Sequence, residues 1–486
     1  MMFKNSVLMI VPVISLTMST LLPAQNTDDA IRYSQTITGG TALSAGMGGA
    51  VGALGGDYSV ASVNPAGLGL YRKSEFGGTI GFFNASGNST YYGTSDDDRK
   101  FNFNIPNFHL VVNTPNPNRL KTKGWLSTTF AIGFNKQNNL GEYWRFRGDN
   151  PDNSIVNSFV ANAGNVSPDN LDPFSSGLAY QTFLIDEAID SNGYTSNFGA
   201  LNGGMNQTAI MDSRGRIGET NISFAGNYSN RLYVGGAIAI RRIVYERNYT
   251  FIERNLTDSV PSFVEMQYNQ FQEDRGTSFA LRGGAIYRVN DFLRLGASAL
   301  LPLDYSMRTT YSGSIDSEVA NGTHFYEAEG EYRYKLRQPA RFTGSATVVY
   351  KKLAIFSIDY ELVDYSRLRL NDNADSFLDQ NDRIRSELKN TGNLRAGVEF
   401  RFTDLYARGG FQLTGSPYVN ENFGKPIQQY SLGFGYRSDT FFFDVAYTMT
   451  KRDILYFPYS YAGSTNRPAN IQVNSNQLLL SIGTRF

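Results

Sequence analysis

Only two histidines, His109 and His324, occur among the 486 residues, and cysteine is absent. Nucleophilic triads and structural zinc sites usually rest on one or the other. Neither G-x-S-x-G nor H-E-x-x-H is present, which removes the common serine-hydrolase and zinc-protease signatures. Asp96, Asp97 and Asp98 read as a solvated loop cluster, because their spacing is not that of a calcium loop. The chain is therefore read as a non-enzyme with no cofactor and no metal. Binding chemistry remains. Arg282, Arg294, Arg341, Arg395, Arg401, Arg408 and Arg437 stand opposite apolar residues in alternating segments, and Asp359, Glu361, Glu399 and Asp444 share their side. Arg282, Arg341 and Arg395 are candidate carboxylate binders, since a guanidinium can hold a carboxylate with two parallel bonds. The competing reading is a ladder of ion pairs that stiffens a wall. A second group lies in the long stretch 137–218: Phe159, Leu178, Tyr180, Phe183, Leu184 and Ile185, with Ile155, Val156, Val160 and Ile189 nearby. A solvated loop does not need them. Their spacing suggests short amphipathic helices, forming either a ligand groove or a loop packed on itself over a mouth.

The elements that must position these residues are strands with one greasy face. At the C-terminus Leu478, Leu480, Ile482, Thr484 and Phe486 fall on one side and Gln477, Ser481, Gly483 and Arg485 on the other. The same alternation recurs at Phe441–Met449, Tyr430–Arg437, Leu394–Phe402 and Ala354–Leu362. About fourteen segments of roughly ten residues can be counted, the length a tilted strand needs to cross a bilayer. The gaps at Ser229-Asn230, Val289-Asn290-Asp291, Lys351-Lys352, Thr403-Asp404 and Ser438-Asp439 fit only tight hairpins. The other connections are long: 137–218, 242–277, 301–340, 363–393, 414–429 and 450–476. Short turns on one side and long loops on the other are the pattern of an outer-membrane barrel. A soluble β-sandwich would not need aromatic faces pointing outward on nearly every strand. Closure also pairs every backbone group at membrane depth. The expectation is an all-β, 14-stranded antiparallel transmembrane β-barrel of the outer membrane of a Gram-negative bacterium.

Composition agrees. Phe 34 and Tyr 30 against Trp 2 give 14% aromatics, suited to interfacial girdles in contact with outer-membrane lipid. The mean hydropathy of −0.32 argues against a helical membrane protein. Lys+Arg and Asp+Glu balance at 44 each, with no basic patch for nucleic acid. Residues 1–24 read as a secretory signal, with Lys4, an apolar stretch and Ala24 before the cut. Residues 25–73 do not read as strands. Thr27 opens a short helix with Asp28 and Asp29 in its first turn, glycines follow from Gly39 to Gly56, and Asn64 caps a turn begun by Pro65. No strand leads into the glycines, so they are not a dinucleotide site. A barrel of this size has a lumen too wide for its own side chains to fill. The N-terminal segment is thus a plug, and 74–486 form the barrel.

The stretch 40–71, GTALSAGMGGAVGALGGDYSVASVNPAGLGLY, resembles the FadL-type outer-membrane transporters of long-chain fatty acids and other hydrophobic compounds. Asn64-Pro65-Ala66 matches that family's hatch motif, just ahead of the first barrel strand. The resemblance implies a hatch closing the periplasmic side, capture of a hydrophobic small-molecule ligand by extracellular loops, binding within the barrel and lateral release. An apolar molecule gains by passing from a greasy pocket into the bilayer rather than into water. A monomer is expected, with Phe486 presenting the chain to the barrel assembly machinery. A general porin for polar solutes and a structural or adhesion barrel remain the alternatives.

Overall fold

The computed structural model describes residues 27–486, apart from 38, 119–121, 190–192, 197, 199–203, 257–261, 352, 373–375, 421–423 and 462–466. The expected signal at 1–24 and Lys352 of one expected turn lie outside the described residues. The wall strands form one antiparallel sheet, and a separate two-stranded pair joins Ile185–Glu187 to Tyr194–Ser196. In chain order the wall strands are β1 (Glu75–Tyr91), β2 (Thr94–Pro115), β3 (Trp125–Asn139 and Glu142–Asn150), β4 (Met205–Tyr228) and β5 (Leu232–Asn255). Next come β6 (Phe263–Arg288), β7 (Leu293–Leu300 and Leu303–Val319), β8 (Gly322–Gln338 and Arg341–Tyr350) and β9 (Ala354–Asp364 and Arg369–Asn371). The last five are β10 (Asn390–Phe402), β11 (Leu405–Thr414), β12 (Ile427–Arg437), β13 (Phe441–Tyr456) and β14 (Ala469–Arg485). Breaks such as Leu301-Pro302 in β7 and Pro339-Ala340 in β8 sit side by side in neighbouring strands, where proline cannot donate to the ladder.

The sheet closes into a 14-stranded barrel. β1 pairs with β14 from Glu75 opposite Arg485 to Thr90 opposite Asn470. Ser74 and Phe486 exchange backbone hydrogen bonds of 3.0 Å, so both ends of the barrel domain meet at the short-turn end. Outward positions carry exposed apolar side chains: Tyr430, Leu432, Phe434 and Tyr436 on β12, Phe356, Ile358, Tyr360 and Leu362 on β9, and Phe342, Val348 and Tyr350 on β8. Arg341, Asp359, Glu361, Arg395, Glu399, Arg408 and Asp444 face inward and are buried. Apolar outside and charged inside is the inverse of a soluble sandwich, and it is what lipid around a polar interior demands.

The short-turn end follows the sequence pattern. Ser229 and Asn230 both adopt positive φ, 56° and 54°, which matches the strand twist in a two-residue hairpin. The opposite end differs. Much of the expected loop in 242–277 and 301–340 is strand, because β5 to β8 continue far beyond the apolar belt. β7 and β8 are joined by a two-residue turn at Ala320-Asn321, which places His324 in a strand rather than a loop. Asp96, Asp97 and Asp98 likewise lie in β2 rather than in a loop, and Asp96 and Asp98 pair with Arg145. These extensions have polar residues on the outer face, where the belt is apolar. Their alternation is the reverse of the belt's, with apolar Tyr305, Met307 and Ile315 of β7 inward and Asp304, Ser306 and Arg308 outward.

Candidate functional site

Residues 27–71 are packed inside the barrel. Helix α1 (Thr27–Ser34) holds Tyr33 against Asp274 of β6, and Gln338 of β8 donates to the Tyr33 carbonyl at 2.8 Å. Helix α2 (Ala42–Gly46) begins at Thr41, whose side chain caps Ser44 and also donates to Asp57 at 2.8–2.9 Å. The chain then crosses the lumen. Gly48, at φ 61°, lies against the backbone of Phe411, and a Cβ on Gly410 of β11 would strike the Gly48 nitrogen. On the far wall Asn64 is fully buried and caps the 3-10 turn Pro65–Leu70. Its Oδ1 accepts from the Ala66 N–H (3.2 Å), and its Nδ2 donates to the carbonyls of Gly52 (2.8 Å) and Ala285 (3.2 Å). A Cβ on Gly235 would sit 2.6 Å from the Pro65 carbonyl oxygen, so Asn64-Pro65-Ala66 rests directly on bare wall backbone. Near the closure, Tyr58 stacks on His109 (4.8 Å, 5° between planes), and Glu75 accepts from Tyr71 (2.8 Å) and Arg485 (2.8 Å).

The inward charges are paired across strands. Glu219 receives Arg282 (2.8 Å) and Arg241 (3.0 Å), while Glu361 receives Arg341 (2.9 Å), Arg395 (3.4 Å) and the Asn393 amide (2.8 Å). Arg408 joins Glu399 (2.7 Å) to Asp444 (2.6 Å). Arg282 also donates to the Ala61 carbonyl at 3.1 Å, and Arg341 to the Ser34 carbonyl. Arg282, Arg341 and Arg395 line a cavity of 30 Å³ together with Thr36, Ser62 and Val63. That space suits a water or two.

At the mouth, the candidate groove residues fall in one cluster. Helix α3 (Ile155–Ala163) and helix α4 (Ser176–Gln181) roof the barrel, burying Phe159, Leu178, Leu184 and Ile185 against Tyr91, Trp144, Phe251 and Met266. Tyr180 packs at the edge of this cluster against Tyr194, whereas Phe183 is 47% exposed with its ring 4.6 Å from that of His324. Ser154 caps α3, and beneath it Glu253 of β5 accepts from the Ile155 N–H (2.9 Å), Ser154 and Gln207. No cation pairs with Glu253 among the described residues, and burial pushes its carboxyl up to about 7 against those hydrogen bonds.

The wall itself parts between β2 and β3. Their ladder runs from Pro115 opposite Ser127 to Asn107 opposite Asn135 and stops. The next residue of β2, Pro106, has no N–H to give, and it stands at a register shift between β1 and β2. On β3 a second shift falls between Lys136 and Asn138, and the four residues 135–138 are all buried, ending the in-out alternation. Above this point the edge of β2 at 94–106 pairs only with β1, and the upper half of β3 leans onto the inner face of that ribbon, where Ser89 donates to the Arg145 carbonyl at 2.5 Å. Behind the gap lies a cavity with 80 Å³ of water-accessible space, lined by Pro106, Lys136, Asn138, Asn139, Gln429, Phe83, Leu479 and Ile37.

Three solved structures share this architecture: a FadL homologue of Pseudomonas aeruginosa, the P. putida toluene transporter TodX and the Ralstonia pickettii toluene transporter TbuX. Their TM-scores are 0.58, 0.56 and 0.53 at 13%, 11% and 15% identity, each alignment covering 93% of this chain and 99% of the other.

The fold is FadL-type.

No protein-family model and no curated protein matches the sequence. In this FadL-type barrel Asn64, Pro65 and Ala66 meet the wall, and Arg282, Arg341 and Arg395 share one inner surface with the N-terminal segment. Phe159, Leu178, Leu184 and Ile185 are gathered at the roof. Reading the sequence missed Lys136 and the gap beside it. The available signal was Pro106, a proline inside an alternating run, which argues for a broken ladder. Chemically, the arrangement offers a roof of packed apolar side chains and a cavity behind an unpaired stretch of wall.

Proposed function

We propose that the protein is an outer-membrane channel for passive uptake of hydrophobic small molecules such as long-chain fatty acids. It acts as a monomer, with the N-terminal segment as a hatch that stays seated. Ligand is gathered at the roof as Phe183 and the cluster behind it part, passes into the barrel and leaves sideways into the bilayer. The observation that carries the reading is the end of the β2–β3 ladder at Asn107 and Asn135, with a cavity directly behind it. A seated hatch leaves the wall as the way out, and an apolar solute has no free-energy gain in periplasmic water. The neighbours whose names specify toluene transport support the hydrophobic class. The lumen arginines serve first as fasteners here: Arg282 and Arg341 hold hatch carbonyls, and a ligand carboxylate reaches them only when Thr36 and Ser62 withdraw.

The cysteine-free chain makes the test clean. Ile105 and Gln137 would face each other if the ladder continued. In cells carrying Ile105→Cys with Gln137→Cys, a cleavable bifunctional thiol reagent should stop uptake of radiolabelled hexadecanoate, and cleavage should restore it. Undiminished uptake with the link in place would refute lateral exit.

A further inference from the structure

The outward face of β4 to β8 changes from greasy to cationic within one step of register. Ile222, Ile238 and Leu281 stand side by side, and Thr220, Ile240 and Phe279 follow one position further out. The next position brings Arg242 of β5 and Lys335 of β8, with Thr277 and Ser306 between them. The one after it sets Arg275 of β6, Arg308 of β7 and Arg333 of β8 directly opposite one another, and Arg216 of β4 lies beyond Val244 in the same row. All six cations are exposed. Like charges directly opposite on neighbouring strands repel. The carboxylates of the following position offset only part of this. Glu273 takes Arg275 (2.6 Å), and Glu331 is shared by Arg308 (2.6 Å) and Arg333 (3.0 Å). The side chains of Arg216, Arg242 and Lys335 have no hydrogen bond or ion pair among the described residues. A strand rising into water needs polar residues here, not residues of one sign. On the opposite arc the first row above the apolar belt reads Gln428, Lys451, Asn474 and Ser86.

We infer that this arc is a docking surface for phosphate-bearing lipid of the leaflet around the long-strand end, its acyl chains lying on Ile238, Ile240, Phe279 and Leu281. Position selects a membrane lipid over a soluble anion, because the headgroup layer begins where the apolar belt ends. Chemistry selects phosphate, because guanidinium forks donate to its oxygens in pairs. Strands lie about 4.8 Å apart, so the row from Arg216 to Arg333 is about 19 Å wide, room for phosphates side by side. Such an anion would relieve the repulsion among Arg275, Arg308 and Arg333. The inference concerns the outer wall and holds whatever the lumen carries. A cation at a membrane surface strengthens the hold on an anionic headgroup about fivefold, so removing three costs about a hundredfold at low salt.

The test uses the purified full chain in a non-ionic detergent, titrated at low salt with diphosphorylated lipid A or with the same lipid stripped of its phosphates. Native mass spectrometry reads the complexes. Arg275→Gln, Arg308→Gln and Arg333→Gln together should weaken the phosphorylated probe about a hundredfold and leave the stripped probe within about twofold. A loss below about tenfold, an equal loss of both probes, or a wild type without preference overturns the assignment. Arg231→Gln with Arg288→Gln and Lys351→Gln removes as much charge from the short-turn end and should keep the preference. A matching loss there would show that net charge, not the row, selects the lipid, and overturns it too. Displacement of the phosphorylated probe by millimolar inorganic phosphate at constant ionic strength would make the row a site for a free anion and reject the lipid. Heat-modifiable gel migration verifies assembly. If the triple variant does not assemble, Arg308→Gln alone carries the comparison, with a selective loss of about fivefold expected and parallel behaviour of the two probes overturning the assignment.

Discussion

Replacing Asn64 by alanine tests what keeps the hatch folded and seated on the wall. The side chain is fully buried and makes three hydrogen bonds, to Ala66 N–H, the Gly52 carbonyl and the Ala285 carbonyl. Losing an N-cap costs about 1 kcal/mol. Leaving the buried Gly52 carbonyl and the half-buried Ala285 carbonyl under-satisfied costs about 1 kcal/mol each, at the low end of the range for such groups. Only the Ala285 bond joins hatch to wall and the other two hold the hatch's own fold, so the sum of about 3 kcal/mol, roughly a hundredfold, applies to the ratio of the folded, seated hatch to one that has both unseated and loosened. None of the three bonds joins one barrel strand to another, so the wall should assemble and keep its heat-modifiable migration. The assay is single-channel conductance in planar bilayers. The wild type should be nearly closed to small ions, and Asn64→Ala should raise the time spent conducting by roughly a hundredfold. An assembled Asn64→Ala barrel as silent as the wild type would show that the motif does not seat the hatch. A wild type that conducts freely would favour the general porin.

Two other perturbations act on different parts of the molecule. Arg408→Met removes the guanidinium that Glu399 and Asp444 share and leaves them only Arg401 (2.9 Å) and Arg437 (3.2 Å), so a loss of about 3 kcal/mol, the low end for a broken buried pair, is expected. The thermal unfolding midpoint should drop, and adding Glu399→Gln with Asp444→Asn should recover much of it; a midpoint unchanged by Arg408→Met would contradict the burial argument. Glu253 lies in the roof with its carboxyl raised from 4.5 to about 7 by burial. The closed roof therefore binds a proton more tightly than the opened one, and roof stability is greatest below pH ~4.5, falls as pH rises to ~7 and is flat beyond, a change of about 3 kcal/mol. Amide exchange in α3 should be slower at pH 5 than at pH 8 after correction for intrinsic rates, and Glu253→Gln should flatten the difference; an equal ratio in both proteins would refute it.

Period-two alternation made most of the wall legible. A strand that must show one face to lipid and the other to a polar lumen writes that requirement into every second residue, as in Phe356, Ile358, Tyr360 and Leu362 against Ser357, Asp359 and Glu361. The cap at Asn64 was equally readable, because Asn before Pro-Ala is a local instruction. The strand extensions were not, since beyond the belt apolar residues turn inward and polar ones outward, as Tyr305, Met307 and Ile315 against Asp304, Ser306 and Arg308 on β7, the reverse of the pattern that lipid imposes.

Contacts between distant segments were decided by the tertiary structure alone. Counting by twos from Phe130, Ile132 and Phe134 sends Lys136 to the lipid side, and only the register shift against β4 buries it. Sequence placed Arg282 in the lumen, but its pairing with Glu219, 63 residues away, needs β4, β5 and β6 set side by side in one register. Whether Phe159 and Leu184 line a groove or close a roof depended on which strands rise to meet them. The physical division is plain: solvent on each face of a strand is a local condition that residues encode one by one, whereas strand register and the gaps it leaves are relations between segments that no single segment contains.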